Sequence, residues 1–380
     1  MKFPRFSLGK DWDDLKEFEK LDIKAKEIVF YAENIASMNH FKLLLNELTE
    51  NYSFNICYVT SVENDPLLSQ SNSKIKSFFI GKKTARTKFF LTLKTKILIM
   101  DMPDLETFHI KKSKTYPVHY IYVFHSMFSI HSYLRKGAID NYDTIFCVGD
   151  HHVKEIQETE KFYKLKSKNL VKYGFSRLDH LIEKNENFEH KIDNKTIIIA
   201  PSYGEDNLLQ KYGIDLISIL INDYKVLLRP HHKILSESKD LIKEITDTFS
   251  NNPNFEFETG IIPFDKLYNS LTMVSDWSGI AIEYAFTFNR KVIFIDVPKK
   301  IQNSESKNIS IEPIEIKLRE EIGYLINPNN LNKISSILNN PNSFIDDKKI
   351  IQTIRDNVVF NISKSAFIGA KEIEKLLEKL

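Results

Sequence analysis

The sequence is poor in features that would mark several protein classes. Of 380 residues only two are cysteine, Cys57 and Cys147. Both stand in apolar runs, NICYVTS and TIFCVG. That context reads as buried free thiols of a reducing compartment and excludes a disulfide scaffold. Neither belongs to a CxxC pair or a Cys/His zinc spacing. An excess of one charge is lacking too. Lys and Arg total 53 against 51 Asp and Glu, a formal charge of +2, so the global field gives no reason to expect nucleic acid. No apolar run reaches the ~18 residues of a membrane span. The opening stretch, MKFPRFSLGKDWDDLKEFEK, has no apolar segment of the signal-peptide kind. A cytoplasmic protein is expected. Walker A, GxGxxG, HExxH and nucleophile-elbow patterns are absent. No Asp-x-Asp pair sits at a strand end, so a metal-free site is expected.

What the chain has in quantity is buried strand. Its length exceeds one typical core and calls for two domains. Short β-branched and aromatic runs alternate with segments of helical period. In the first half the predicted strands are EIVFYAE (27–33), NICYVTS (55–61), IKSFFIG (75–81), KILIMD (96–101), HYIYVFH (119–125) and DTIFCVG (143–149). In the second they are KTIIIAPS (195–202), YKVLLRPH (224–231), FEFETG (255–260), LTMVSD (271–276) and RKVIFIDVP (290–298). Such runs with little polar alternation predict parallel strands covered by helices on both faces. Helices are expected at 37–52, 213–223, 238–251 and 278–288, and in the tail at 329–339, 345–358 and 363–380. The polar stretch LIEKNENFEHKIDNKT (181–196) marks the domain boundary. The expected fold is α/β and GT-B-like: two doubly wound, Rossmann-like domains facing a cleft, at 1–185 and 186–345, with helices of 346–380 packing across them.

In open parallel sheets ligands bind at the carboxyl ends of the strands, and four motifs lie there. His125 closes HYIYVFH; an imidazole at that place suits proton transfer near neutral pH. APSYGEDN (200–207) places Ser202 and Gly204 in a loop whose amides can point at a ligand, though the same composition makes ordinary turns. LLRPHHK (227–233) sets Arg229 and His231 beyond a buried strand, where a guanidinium fork and an imidazole can hold phosphate oxygens. In SDWSGIAIEYAF (275–286), Ser275, Asp276 and Ser278 can cap the helix that starts near 278. That helix start, with Gly279 leaving room, suits a phosphate. Glu283, one turn in, reads equally as a ribose contact or a solvated carboxylate. Trp277 is not explained by capping. Among the remaining histidines, His131 reads as a helix-surface residue or one behind the site, and His151 and His152 as surface residues. GKKTARTKFFLTLKTK (81–96) reads either as a helix packed on the sheet or as one drawn to anionic lipid.

Together, YVFHSMFSIHSYLRKGAIDNYDTIFCVGDHH, VKYGFSRLDHL, IIIAPSYGEDNLL, VLLRPHHK and VSDWSGIAIEYAFTFNRKVIFIDVPKKIQN resemble, in that order, the CDP-glycerol glycerophosphotransferase family. This family makes teichoic acids and related surface polymers. The resemblance spans roughly 115–305 and implies a GT-B fold and a CDP-linked donor. An acceptor hydroxyl attacks the β-phosphorus and CMP leaves. It implies that His125 is the base and that His231, with Arg229 beside it, binds donor phosphate. Ser275, Asp276 and Ser278 would hold the diphosphate. No cofactor is implied beyond the nucleotide substrate. The implied partners are the CDP-linked donor and a lipid-linked or oligosaccharide acceptor, with peripheral contact to the cytoplasmic face of the membrane. Many family members have His-Gly where this chain has His125-Ser126, and Pro where it has His232. The first departure points to a subgroup with an altered donor or acceptor. The segment LREEIGYLINP (318–328) offers Arg319 as a further donor-site candidate. A nucleotide-sugar transferase and a non-catalytic binding protein on the same fold are the alternatives.

Overall fold

The structure, a computed structural model, describes residues 9–188, 195–299 and 301–380. The predicted boundary stretch at 181–196 therefore lies partly outside the described residues, as do the first eight residues of the chain. By its internal contacts the chain divides into two compact units. Unit 1 comprises the residues up to His180 together with Asn303–Ser310 and Val359–Leu380. Unit 2 comprises Leu181–Gln302 and Ile311–Val358. The expected third segment, 346–380, is thus divided: its first helix, Lys348–Val358, falls in unit 2 and its last, Ser365–Lys379, in unit 1.

Among the described residues, unit 1 carries β1 (Ile28–Ala32), β2 (Ile56–Thr60), β3 (Ile75–Phe79), β4 (Ile97–Met100), β5 (His119–Val123), β6 (Thr144–Cys147) and β7 (Asn169–Lys172). They form one sheet in the order β3-β2-β1-β4-β5-β6-β7, every pair parallel. Unit 2 carries β8 (Thr196–Ile199), β9 (Lys225–Leu228), β10 (Phe255–Phe257), β11 (Thr272–Ser275), β12 (Val292–Ile295) and β13 (Gly323–Ile326). Their order is β10-β9-β8-β11-β12-β13, again all parallel. In both sheets the strand order reverses beside the first strand, at β1/β4 and at β8/β11. A crevice for ligands opens at such a switch point.

The central strands read clearly because they are apolar on both faces; all five residues of β1 and of β2 are buried. The edge strands β7 (NLVK) and β13 (GYLI) were not predicted. They are half exposed and too short to show a period. The core of unit 1 stacks Phe30, Phe41, Leu44, Ile121 and Phe146 with Ala370, Ile373 and Leu376 of the last helix. Residues 81–96 are settled by packing: in the helix Thr84–Thr92, Ala85, Arg86, Phe89 and Phe90 are buried. The Arg86 guanidinium pairs with Glu33 at 2.6 Å. Those apolar side chains face the protein rather than a lipid surface. No helix of the described residues is long and apolar enough to cross a membrane.

The last helix is anchored by one carboxylate. Asp179 accepts from the amides of Ser363 (2.8 Å) and Ser365 (3.0 Å) and from the Ser365 hydroxyl. Nearby, Gly174 holds φ +107°, and a Cβ there would lie 2.4 Å from the Phe360 carbonyl oxygen. This explains the glycine in VKYGFSRLD. Asp179→Ala leaves buried donors unpaired and is expected to cost about 2–3 kcal/mol. The measurement is the urea midpoint of unfolding, and an unchanged midpoint would contradict the anchoring role.

Candidate functional site

In unit 1 the candidate base stands two residues past β5. His125 is half-buried. Its Nδ1 lies 3.0 Å from the Tyr122 hydroxyl, and the ring bonds the backbone of Asp101 at the end of β4. Burial disfavours the imidazolium and pushes the pKa down to about 4, the Asp101 bond opposing only in part. The ring is therefore neutral at neutral pH, the state a base requires. Asp101, not predicted as a site residue, is buried and accepts from Ser37 Oγ at 2.9 Å. Burial pushes its carboxyl up to about 7.

The neighbouring histidines depart from expectation only in part. Of the two readings of His131, on a helix surface or behind the site, burial removes the first: its Nδ1 lies 3.1 Å from the buried Glu155 carboxylate. The same carboxylate accepts from the Ile130 amide at 2.6 Å and so caps the short helix Ile130–Tyr133. His152 is wholly buried rather than exposed. Its two nitrogens take the Val148 amide (3.3 Å) and the Phe128 carbonyl (2.9 Å), which fixes the turn after β6. His151 is half-buried, with Nε2 3.0 Å from the Met127 carbonyl.

In unit 2 the predicted motifs converge on the β8/β11 switch point. Asp276 is completely buried and does not cap the helix after it. Its carboxylate accepts from the amides of Ser202 (2.7 Å) and Leu208 (2.9 Å), closing both ends of the loop after β8. Burial raises its pKa, and those hydrogen bonds oppose the rise. Ser275 is also completely buried and donates to the Ala200 carbonyl at 2.6 Å. Both side chains build the rim from inside.

The helix Gly279–Phe288 begins at Ser278, whose side chain makes no capping bond. An α-helix leaves its first amides without intrahelical partners, and the Ser278 side chain does not take them up. Glu283 is buried, so the solvated reading fails. Its helix is buried at every position from Ala281 to Phe288.

The loops after β8 and β9 meet through aromatic rings. Tyr203 stacks on His231 with centroids 4.5 Å apart, and Lys233 Nζ lies 4.2 Å from the Tyr203 ring. His231 precedes the helix His232–Glu237, and its Nδ1 accepts from the Lys233 amide at 3.2 Å. An accepting Nδ1 places the ring proton on Nε2. Arg229 Nε donates to the Gly260 carbonyl at 3.2 Å, fixing the guanidinium beyond β9. Gly204, at φ +121°, turns the β8 loop.

Trp277 gains an assignment. Its Nε1 donates to the Val297 carbonyl at 2.9 Å, and the Arg319 guanidinium lies 3.6 Å from its ring centroid. Such stacking is worth about 0.5–2 kcal/mol. Arg319 also reaches the Ile295 carbonyl and Asp296. Among the described residues no group of three or more His, Cys, Asp or Glu side chains is arranged to hold a metal ion.

A family model described as CDP-Glycerol:Poly(glycerophosphate) glycerophosphotransferase matches residues 16–300. No curated protein matches the sequence. Solved structures share the fold at low identity. The wall teichoic acid polymerase TagF, studied with CDPG, is 13% identical with a TM-score of 0.56; the match covers 97% of this chain and 94% of that one. The S. aureus MnaA–UDP structure is 13% identical with a TM-score of 0.61, covering 93% and 98%. UDP-GlcNAc 2-epimerase from Neisseria meningitidis, bound to UDP-GlcNAc, is 13% identical with a TM-score of 0.57, covering 92% and 99%.

The depressed pKa of His125 gives a direct expectation. The unfolded chain takes up this proton near 6.5 and the folded ring only near 4, so acidification below 6.5 favours the unfolded state. In the folded protein the His125 ring resonance should titrate with a midpoint near 4. A midpoint near 6.5 would mean that the ring is solvated.

Proposed function

Because the chain belongs to the CDP-glycerol:poly(glycerophosphate) glycerophosphotransferase family, we propose that it transfers glycerol phosphate, or a similar polyol phosphate, from a CDP-linked donor to a hydroxyl of a growing surface polymer. The observation that carries this reading is a neutral histidine at the end of β5, in a chain whose other predicted motifs cluster at one switch point of unit 2. In the reaction an acceptor oxygen attacks the β-phosphorus of the donor. The new P–O bond forms as the bond from that phosphorus to the oxygen of CMP breaks, and CMP leaves with the bonding pair. His125 takes the acceptor proton.

Phosphoryl transfer asks little covalent chemistry of the protein; it asks for positioned positive groups and a base. Arg229, the Nε2–H of His231 and the uncapped helix start at Ser278 and Gly279 would take the diphosphate. Ser202 and Gly204 would offer loop amides to the same group. Ser275 and Asp276 contribute by holding that rim in shape, and Glu283 by packing the helix behind it. In this reading the acceptor is lipid-linked or an oligosaccharide, and the protein works at the cytoplasmic face of the membrane.

The test is turnover of CDP-glycerol and other CDP-polyols with and without a lipid-linked acceptor. CMP is the expected product; release of a nucleoside diphosphate would instead indicate sugar transfer. His125→Ala should lower transfer at least ~100-fold while CDP binding stays within about twofold. Arg229→Ala and Ser278→Ala should weaken CDP-glycerol binding, Arg229→Ala by roughly tenfold or more. Unchanged transfer by His125→Ala would remove it as the base.

A further inference from the structure

The carboxyl end of the unit 1 sheet holds a buried carboxylate that the transfer chemistry leaves unused. Asp101 follows β4 directly, and β4 pairs with β5, the strand that leads to His125. Ile97 and Ile99 of β4, and Ile121 and Val123 of β5, face the core that holds Phe41 and Leu44 of the helix Met38–Asn46. Side chains alternate along a strand, so that face comes next to residues 101 and 125. The contacts agree. Ser37, just before the helix, donates to Asp101 Oδ1 at 2.9 Å. His40, in the first turn of the helix, has its ring centroid 6.5 Å from that of His125. Asp101 and His40 are each 5% exposed, a costly place for either group. Burial, with the charge of Glu33 adding to it, pushes the Asp101 carboxyl up to about 7, and the bonds from Ser37 and from its own amide oppose this only in part. Those two donors leave lone pairs over, since a carboxylate can accept about four hydrogen bonds. His40 Nδ1 is buried and has no hydrogen-bond partner among the described residues. An apolar side chain at either place would avoid the loss.

Packing gives no reason for these two polar groups, whereas a ligand bearing hydroxyls does. We propose that Asp101 and His40 hold the polyol end of the acceptor, by a hydroxyl next to the one that His125 deprotonates. A carboxyl group bonds a hydroxyl in either protonation state, as acceptor or as donor. Burial holds the His40 ring neutral, and a neutral imidazole can likewise give or take one hydrogen bond. Neither group brings a positive charge, so the end that suits them is an uncharged diol and not a phosphate. The inference rests on the transfer reading. Glycerol joined to a chain through one terminal oxygen keeps two adjacent hydroxyls, one to attack and one to be held.

The experiment uses the full chain with labelled histidines, titrated with glycerol or with 1,3-propanediol, which lacks the middle hydroxyl. Saturable shifts of the His40 and His125 resonances are expected with glycerol, and roughly tenfold weaker binding of 1,3-propanediol. Asp101→Leu should bind the two alike, and Asp101→Asn should keep part of the preference. The urea midpoint of Asp101→Asn should stay the same or rise, since an amide is cheaper to bury than a carboxylate. In turnover assays Asp101→Asn should raise the KM of an acceptor ending in glycerol and leave the KM of the CDP donor alone. The proposal is overturned if the wild type binds both diols equally, or if glycerol leaves the His40 signal unmoved. It also falls if Asp101→Leu keeps the preference, or if Asp101→Asn lowers the midpoint without touching the preference, as a purely structural carboxylate would. Should CMP release fail while glycerol is still preferred at His40, the pocket stands and the reaction is the part to revise. Should CMP form equally fast with acceptors lacking the second hydroxyl, the reaction stands and the pocket falls.

Discussion

The buried carboxylate of Asp276 is the interaction on which the rim of unit 2 depends. It sits at the end of β11 and reaches sideways to the amides of Ser202 and Leu208, with a third bond to its neighbour Trp277. The loop between Ser202 and Leu208 is therefore pinned at both ends to an adjacent strand. Tyr203 lies inside that loop and stacks on His231, which in turn starts the helix His232–Glu237. On the other side Trp277 carries Arg319 on its ring. Each amide that lost the carboxylate would be left buried at a cost of about 1–3 kcal/mol, so a polar group at this spot is dictated by backbone geometry as much as by any ligand.

The two units treat charge in opposite ways. On the rim of unit 1 burial disfavours charge: His125 is pushed down to about 4 and Asp101 up to about 7. On the rim of unit 2 the groups of interest are a guanidinium, a lysine over an aromatic ring and the positive end of a ten-residue helix. In the proposed transfer His125 would be the neutral base and the groups of unit 2 the cationic ones, the two parts that attack on a diphosphate calls for.

How much of this was legible in the sequence varies by residue. Eleven of the thirteen strands announce themselves because parallel strands bury both faces. β7 and β13 fail because edge strands as short as NLVK and GYLI carry no pattern. The strand-end motifs were readable as places, less so as roles. Asp276 looked like a helix cap because it precedes a helix, whereas its partners lie 74 and 68 positions away. The burial of Glu283 was readable from GIAIEYAFTF, which is apolar nearly all round and so cannot be a surface helix. The surface reading of His152 failed for want of the Phe128 carbonyl, and the two readings of His131 stayed open for want of Glu155, partners that only the fold brings to them. Asp101 did have a signal, as the polar residue ending KILIMD beside the strand of His125.

The last helix also bears on how the chain comes off the ribosome. Ala370, Ile373 and Leu376 fill the core beside Phe30 and Phe41, yet they are synthesised after every strand of unit 2. The sheet that is made first must therefore wait, with one apolar face open, until the helix Ser365–Lys379 has been made. Unit 2, complete by Val358, can close earlier. The order of synthesis and the order of completion are reversed, and the first-made sheet is the one that needs shielding from aggregation in the interval.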